Sequence, residues 1–588
     1  MPGIGDGEEK TLLDAVIRNG LIVDGSGKPG FKGDIGIENG RIAFIGPPNG
    51  AGSDAEARER IDAAGKVVCP GFVDPHSHAD LVLHRLDHEK LLAPLVLQGI
   101  TTLVGGNCGL SMAPIAAAFR GPVQDYVNIF ANVDFERDCS WKTTGEFMDV
   151  LESRGMLLNA ALLIPHSLVR IGCMGPERRY ATDDEIRAMA TVVEQAMAEG
   201  AIGLSTGLQY FPGSHSDARE LQALGKALKP RDGIFASHLR SYSNTLPLAI
   251  DELVAVARQN GIRAQISHIF QCPDFGVAGP FMRALIRGAA RMNFVPPIPL
   301  DGPLTRRIGQ MMSARASGVC IGMDVMPTTT AFTYLLALFP PWAIAGAKQD
   351  VLANLTDPSA RSRILHDIEH GKMKWPHVEG NSWSLNMIRL MGWESIRIMA
   401  VSSPGNKPYE GRTLVDIARE RKQHPLDTAC DLVVEEAGRV LVFFSLAQPD
   451  DALTEASTFA PLKHPEVSIS TDTLITGLGK PSHLFHGCYP RFLGRYVREK
   501  KLLSLETAIR KMTSVPAEHF KLRQRGQLQN GYHADIVVFD PQTISSKANF
   551  LHPDTPPEGI SHVFINGRKV VARGIVAEGR HGQVLRHN

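Results

Sequence analysis

Val68-Cys-Pro-Gly-Phe-Val-Asp-Pro-His-Ser-His-Ala-Asp80 is the stretch from which the fold can be read. A short apolar run, broken by Pro70-Gly71, delivers two histidines separated by one residue. If Gly71 to His78 is a strand, its side chains alternate between faces, so His76 and His78 point the same way, about 6–7 Å apart. That spacing lets two imidazoles grip one divalent ion. An isolated His-x-His pair in a loop means much less, so the reading depends on what other strands supply.

Seven further apolar runs share its style. They are Gly99–Gly106, Leu158–Pro165, Ala201–Gly207, Ile234–His238, Ala264–His268, Val319–Asp324 and Val467–Asp472. Helical segments alternate with several of them, as in Asp183 to Glu199, which starts on acidic residues and stops at Gly200. Eight strands alternating with helices predict a closed (β/α)8 TIM barrel. The span from about Met326 to Ala460 is longer than one barrel unit, and predicts an insertion containing helices at Leu414–Arg421 and Asp427–Glu436.

The two ends of the chain read differently. After about ten polar residues, Asp14 to Ile45 reads as short strands, with hairpin turns at Asn19-Gly20 and Asn39-Gly40. Ala51 to Glu59 reads as a surface loop. Strand-like runs return at Ala534–Asp540 and His562–Val571. Neither end is large enough to stand alone, so both are expected to pair into one small β-sandwich. The expected organisation is residues 1–68 and 526–588 in the sandwich and 69–525 in the barrel, with the insertion at 326–460.

Bulk properties exclude several function classes. Lys+Arg number 62 and Asp+Glu 62, so the chain has no net charge, and no basic tract marks it for nucleic acid or anionic membrane. A balanced surface suits a small-molecule enzyme or a homo-oligomer. The 8 cysteines are scattered with no CxxC pair, which argues for a reducing compartment. The first ten residues contain no apolar signal core, and Tyr334 to Ala347 is too short to span a bilayer. A soluble cytoplasmic protein is expected.

The polar residues fall in a regular place. His76, His78, Cys108, His238, His268 and Asp472 each stand at the C-terminal end of a candidate strand. In a (β/α)8 barrel these ends converge on one face. Singly, each has an ordinary explanation: a hydrogen-bonded core histidine, a small apolar cysteine, a helix-capping aspartate. Together, imidazoles, a thiolate and a carboxylate make a transition-metal site, with zinc the best match.

With these motifs the chain resembles the amidohydrolase superfamily, and within it the D-aminoacylases (N-acyl-D-amino-acid deacylases). The resemblance rests on Pro70–His78, Gly106-Asn-Cys-Gly109, Glu199–Gly213, Ser237-His-Leu-Arg240, Ile266-Ser-His268 and Pro490–Gly494, and on the ending Gly526–Asp540. It implies a zinc hydrolase of carbon–nitrogen bonds other than peptide bonds. In it Cys108, His238 and His268 match a tight zinc site, His76 and His78 a weaker second subsite, and Asp472 the catalytic carboxylate. The bridging lysine that many superfamily members carry on the fourth strand is missing from Ala201–Gly207, which fits the D-aminoacylase branch. Zinc would bring the pKa of a bound water to about 7, with Asp472 as general base and then acid.

Departures from the family bear on the substrate. The resemblance implies that an α-carboxylate would be held by a Lys two residues after the last metal histidine, where this chain has Phe270. A tyrosine-bearing Asp-Val-Tyr-Pro-Tyr stretch is replaced by Asp324-Val-Met-Pro-Thr328, placing Met326 and Thr328 there, and a His-Pro-Arg segment by Lys480-Pro-Ser-His483. Losing three anion-binding groups, at ~1.5–3 kcal/mol for each charged hydrogen bond, points to an N-acyl amide without a free carboxylate at that place. Arg240, Arg170 and Lys480 are candidates for a displaced anchor, His483 for a substrate contact, and Tyr210 for a pocket wall. Hydrolysis of a cyclic amide, imide, lactone or carbamate would use the same metal and aspartate. A non-catalytic scaffold is opposed by the complete ligand set.

Overall fold

The computed structural model describes residues 12–48, 50, 55–371, 374–376, 383–475 and 477–587. The polar tail and residues 51–54 of the expected surface loop lie outside them; the loop's second half is a strand, Ala57–Asp62.

Eight parallel strands form the central sheet, in chain order around it: β1 Phe72–Asp74, β2 Ile100–Gly105, β3 Asn159–Pro165, β4 Gly203–Gly207, β5 Ile234–His238, β6 Arg263–Ile266, β7 Ile321–Val325 and β8 Val467–Ile469. All seven residues of β3 are buried, which is why Ala160–Ile164 reads as an unbroken apolar run. Inward-facing Val73, Val104, Leu163 and Ile234 fill the barrel with Phe520 and Leu522. Helix Asp183–Ala198 is fixed at its start by a capping box, in which Thr182 accepts from the Glu185 amide and Glu185 reaches back to the Thr182 amide.

The barrel closes differently from its other staves. Between β8 and β1 the ladder reduces to a parallel bridge of Ser77 with Thr473, beyond both strands. There the Asp472 amide donates to the His76 carbonyl (3.0 Å) and the His78 amide to the Thr473 carbonyl (2.8 Å). Asp74 locks the seam from below, accepting from the Thr471 hydroxyl (2.5 Å) and amide (3.1 Å). β1 is shorter than expected because Pro75 has no amide to continue the ladder.

Both chain ends meet in one nine-stranded sheet, where Val67–Pro70 pairs antiparallel with Ile536–Phe539. The sheet has its own core around Ile17, Ile35, Val68, Val538 and Phe564. Asn39-Gly40 makes a hairpin turn, with φ of 50° and 79°. Asn19-Gly20 does not: Leu13–Ile22 is one strand, and Asn19 (φ 61°) forms a bulge whose amide is held by Asp34 (2.9 Å).

The long span after β7 holds helices Leu414–Arg421 and Pro425–Glu435. It also contains an antiparallel sheet absent from the sequence expectation, in which Leu441–Phe444 lies between Ala331–Tyr334 and Ile396–Ala400. Apolar runs of four or five residues cannot be assigned to strand or helix by periodicity. No helix among the described residues is long and apolar enough to cross a membrane.

Candidate metal centre

Each ligand-type side chain is aimed by a local device. After β2, Gly106 adopts φ 78°, and a Cβ there would meet the Leu163 carbonyl oxygen at 2.1 Å, so only glycine fits. Ser205 on β4 clamps the turn, accepting from the Gly109 amide (3.0 Å) and donating to the Gly106 carbonyl. Cys108 between them is held at φ 53°. His268 (φ 32°) and Asp472 (φ 49°) also occupy left-handed backbone, which is uncommon outside glycine and clusters at functional sites.

These devices bring the six residues together. Cys108 Sγ lies 3.2 Å from His76 Nε2, 3.8 Å from His238 Nδ1 and 3.5 Å from His268 Nε2. His238 Nδ1 and His268 Nε2 are 2.9 Å apart, a pair that can share one proton or one cation. Asp472 Oδ1 is 3.3 Å from His76 Nε2 and 3.4 Å from His78 Nε2. Three overlapping triads have donor atoms all within 4.8 Å of one another: His76–His78–Cys108, Cys108–His238–His268 and His76–His268–Asp472. His76 and His78 leave the strand at Pro75, yet their rings still meet, 5.5 Å between centroids.

Supporting residues fix protons and rings. His238 Nε2 faces Gln209 Oε1 at 2.9 Å, so Nε2 carries the proton and Nδ1 presents its lone pair inward. Asp324 on β7 accepts the His268 backbone amide (2.8 Å), Gln265 Nε2 (2.7 Å) and the Ser470 hydroxyl (2.9 Å), and lies 3.9 Å from His76 Nδ1. The sequence reading assigned no role to Asp324 or Gln209. A carboxylate inside an apolar strand was a usable signal for the first; nothing local marks the second.

Electrostatics favour a cation. Burial, followed by the neighbouring histidines, holds His76 and His238 well below the usual histidine range, hence neutral with lone pairs available. Burial also pushes the Cys108 thiol well up, with Asp472 and Asp324 adding to the effect. A thiolate here therefore needs positive charge beside it. Burial raises the Asp74 carboxyl to about 7 against its Thr471 bonds.

Above the cluster opens a cavity. His78, Cys108, His238, His268 and Asp472 lie at its polar end; Tyr210, Phe270, Met326, Phe332 and Phe444 are among its apolar walls. Tyr210 packs on the His238 ring (4.5 Å), and its hydroxyl accepts from the Thr333 hydroxyl at 3.3 Å. No lysine or arginine lines the cavity among the described residues. Arg240 is turned away, its guanidinium donating to Glu252 (3.1 Å) and to the carbonyls of Ser214 (2.9 Å) and Ser216 (3.1 Å). Arg170 is buried against Glu220. His483 sits 3.5 Å from Asp450, outside the cavity lining.

An eight-stranded barrel carrying His, Cys and Asp at its strand ends defines a class of metal-site barrels, and comparison with known proteins makes the class specific. A family model described as the amidohydrolase family matches residues 59–269 and 452–571, and the chain belongs to that family. The chain is 30% identical over 578 residues to a D-aminoacylase of Alcaligenes xylosoxydans xylosoxydans, covering 97% of each. It is 29% identical to an N-acyl-D-glutamate deacylase of the same organism, covering 98% of this chain and 97% of that one. The crystal structure of the N-acyl-D-glutamate deacylase of Bordetella bronchiseptica, complexed with zinc and a phosphonate inhibitor, superposes with a TM-score of 0.76 at 28% identity, over 98% of this chain and 100% of that one. A D-aminoacylase structure superposes with a TM-score of 0.73 at 29% identity, again over 98% and 100%.

Proposed function

We propose that this protein hydrolyses an N-acyl amide bond with the help of a divalent metal, zinc being the best fit to its donor set. The reading is carried by the convergence of His78, Cys108, His238, His268 and Asp472 at the polar end of one cavity. The residues fit such an ion: a thiol, imidazoles and a carboxylate fall into overlapping triads, each with its donor atoms within 4.8 Å of one another, and these are zinc's ligand types. Cys108, His238 and His268 would hold the tight ion, with His76 and His78 forming a second, weaker subsite. When bound, zinc supplies acidification of water and polarisation of a carbonyl.

The remaining chemistry belongs to the chain. Asp472, facing the cavity, takes the proton of the attacking water and returns it to the departing nitrogen. Its carboxylate is oriented by the His76 and His78 rings, and its backbone by the His76 carbonyl. Tyr210, Phe332 and Phe444 keep bulk water from the reacting centre. The absence of lysine and arginine from the described cavity lining, with Phe270 and Met326 on its wall, supports an acyl amide lacking a free carboxylate at that position.

The test is hydrolysis of matched N-acyl amides, with and without an α-carboxylate, by zinc-loaded parent and Asp472→Asn protein. Neutral amides are expected to be the better substrates, and the variant to lose roughly 10²–10⁴-fold in kcat while retaining zinc. Full activity in the variant would remove Asp472 from the mechanism, and N-acetyl-D-amino acids as the best substrates would overturn the substrate reading.

A further inference from the structure

A second cavity lies against the first. The two share Phe270, Met326, Ala331 and Phe444 as common lining. Phe270 is held in place by stacking on Tyr242, with centroids 4.4 Å apart and planes 6° apart. Ala331, on the edge strand of the insertion's sheet, is the small member of this partition.

The second chamber is apolar and uncharged. Phe275, Ile286, Leu300, Leu304, Leu446 and Leu453 line it, and no Asp, Glu, Lys, Arg or His does so among the described residues. Its polar lining consists of hydroxyls, Cys272 and Gln271. Three of these polar atoms, Gln271 Oε1, Thr330 Oγ1 and Thr454 Oγ1, are buried without a protein partner.

We propose that this chamber is a binding site for an uncharged apolar substituent of the substrate, an alkyl chain or aryl group that crosses the partition beside Ala331 while the amide sits over the metal cluster. The proposal rests on the amide-hydrolase reading above, and it extends that reading by making lipophilic amides the substrate class. A charged substituent would be stripped of water there with nothing to pair with. An apolar one gains about two- to fourfold in affinity for each methylene buried.

Two isomeric probes separate the ends of the amide: N-methylhexanamide carries its chain on the carbonyl, N-pentylacetamide on the nitrogen. N-methylacetamide is the short reference. One of the two long-chain probes is expected to exceed the reference in kcat/KM by more than tenfold. Ser457→Phe, which fills the chamber, and Leu446→Asp, which charges it, should both collapse that ratio. Calorimetric binding of the same probes to zinc-depleted protein supplies a readout independent of turnover. Chain-dependent binding that both variants abolish, with no hydrolysis of any probe, would uphold the chamber and overturn the amide-hydrolase reading. Hydrolysis of all three probes with no chain-length gain, or a gain that both variants retain, would overturn the chamber and leave the hydrolase reading standing.

Discussion

Replacing Asp324 by asparagine separates positioning from ligation. The carboxylate touches none of the atoms expected to react, yet three donors converge on it: the His268 amide at 2.8 Å, Gln265 Nε2 at 2.7 Å and the Ser470 hydroxyl at 2.9 Å. Asparagine has nearly the same shape. Its oxygen can keep the His268 amide and Ser470, and Gln265 can turn its own amide to remake the third contact. What is lost is charge, so two bonds fall from about 1.5–3 to about 1 kcal/mol each, a destabilisation of roughly 2 kcal/mol. The His268 backbone, already at φ 32°, is then held less firmly, and His76 Nδ1 loses the carboxylate 3.9 Å away. Weakening an outer partner of a ligating histidine typically costs about 10- to 100-fold in metal affinity. Chelator-competition titration with zinc reads this directly, and activity should return when zinc is supplied in excess. A folded variant with zinc affinity within about twofold of the parent would refute the positioning role, because that outcome lies far outside the expected range.

Three further outcomes follow from the same geometry. Cys108→Ser should reduce zinc affinity by more than about 100-fold, since a hydroxyl stays protonated where a thiolate would bind; metal analysis after dialysis tests it. Thr471→Val removes the hydroxyl that donates to buried Asp74, leaving an oxygen unsatisfied at the barrel seam; thermal unfolding should show a loss of about 1–3 kcal/mol, and no loss would remove that bond from the seam. Burial holds folded His84, His215 and His483 near 4 and His519 near 3, whereas unfolded histidine titrates near 6.5. The unfolded state therefore binds more protons between pH 6.5 and 4, so the stability these residues contribute is present above pH 6.5 and lost as the pH falls through this window. The loss is about 1 kcal/mol per residue at pH 5.5, and a melting temperature independent of pH from 7 to 5 would contradict it.

Much of this architecture is written locally. β2 is an apolar run with Cys108 just beyond it and β5 is one that ends on His238, so the barrel and its six strand-end side chains are readable from order and spacing alone. Pairing between the chain ends was legible because neither end can bury its own apolar faces. The insertion's sheet was not, since Leu441–Phe444 gains its identity only from two partners distant in sequence. Asn19-Gly20 carries a hairpin signature, but Asp34, fifteen residues on, captures the Asn19 amide and makes a bulge of it. Arg240 and His483 occupy promising positions in the sequence, yet Glu252 and Asp450 claim them. Gln209 matters only because the barrel brings it to His238.

The left-handed backbones of Cys108, His268 and Asp472 carry a consequence for anyone who tries to improve this protein. Each such conformation costs on the order of 1 kcal/mol outside glycine. A library ranked by heat tolerance alone would therefore favour glycine at these three positions, yielding hardier molecules emptied of the groups that make the barrel useful. Breeding for robustness and breeding for turnover pull in opposite directions at these three residues, and a screen must score both.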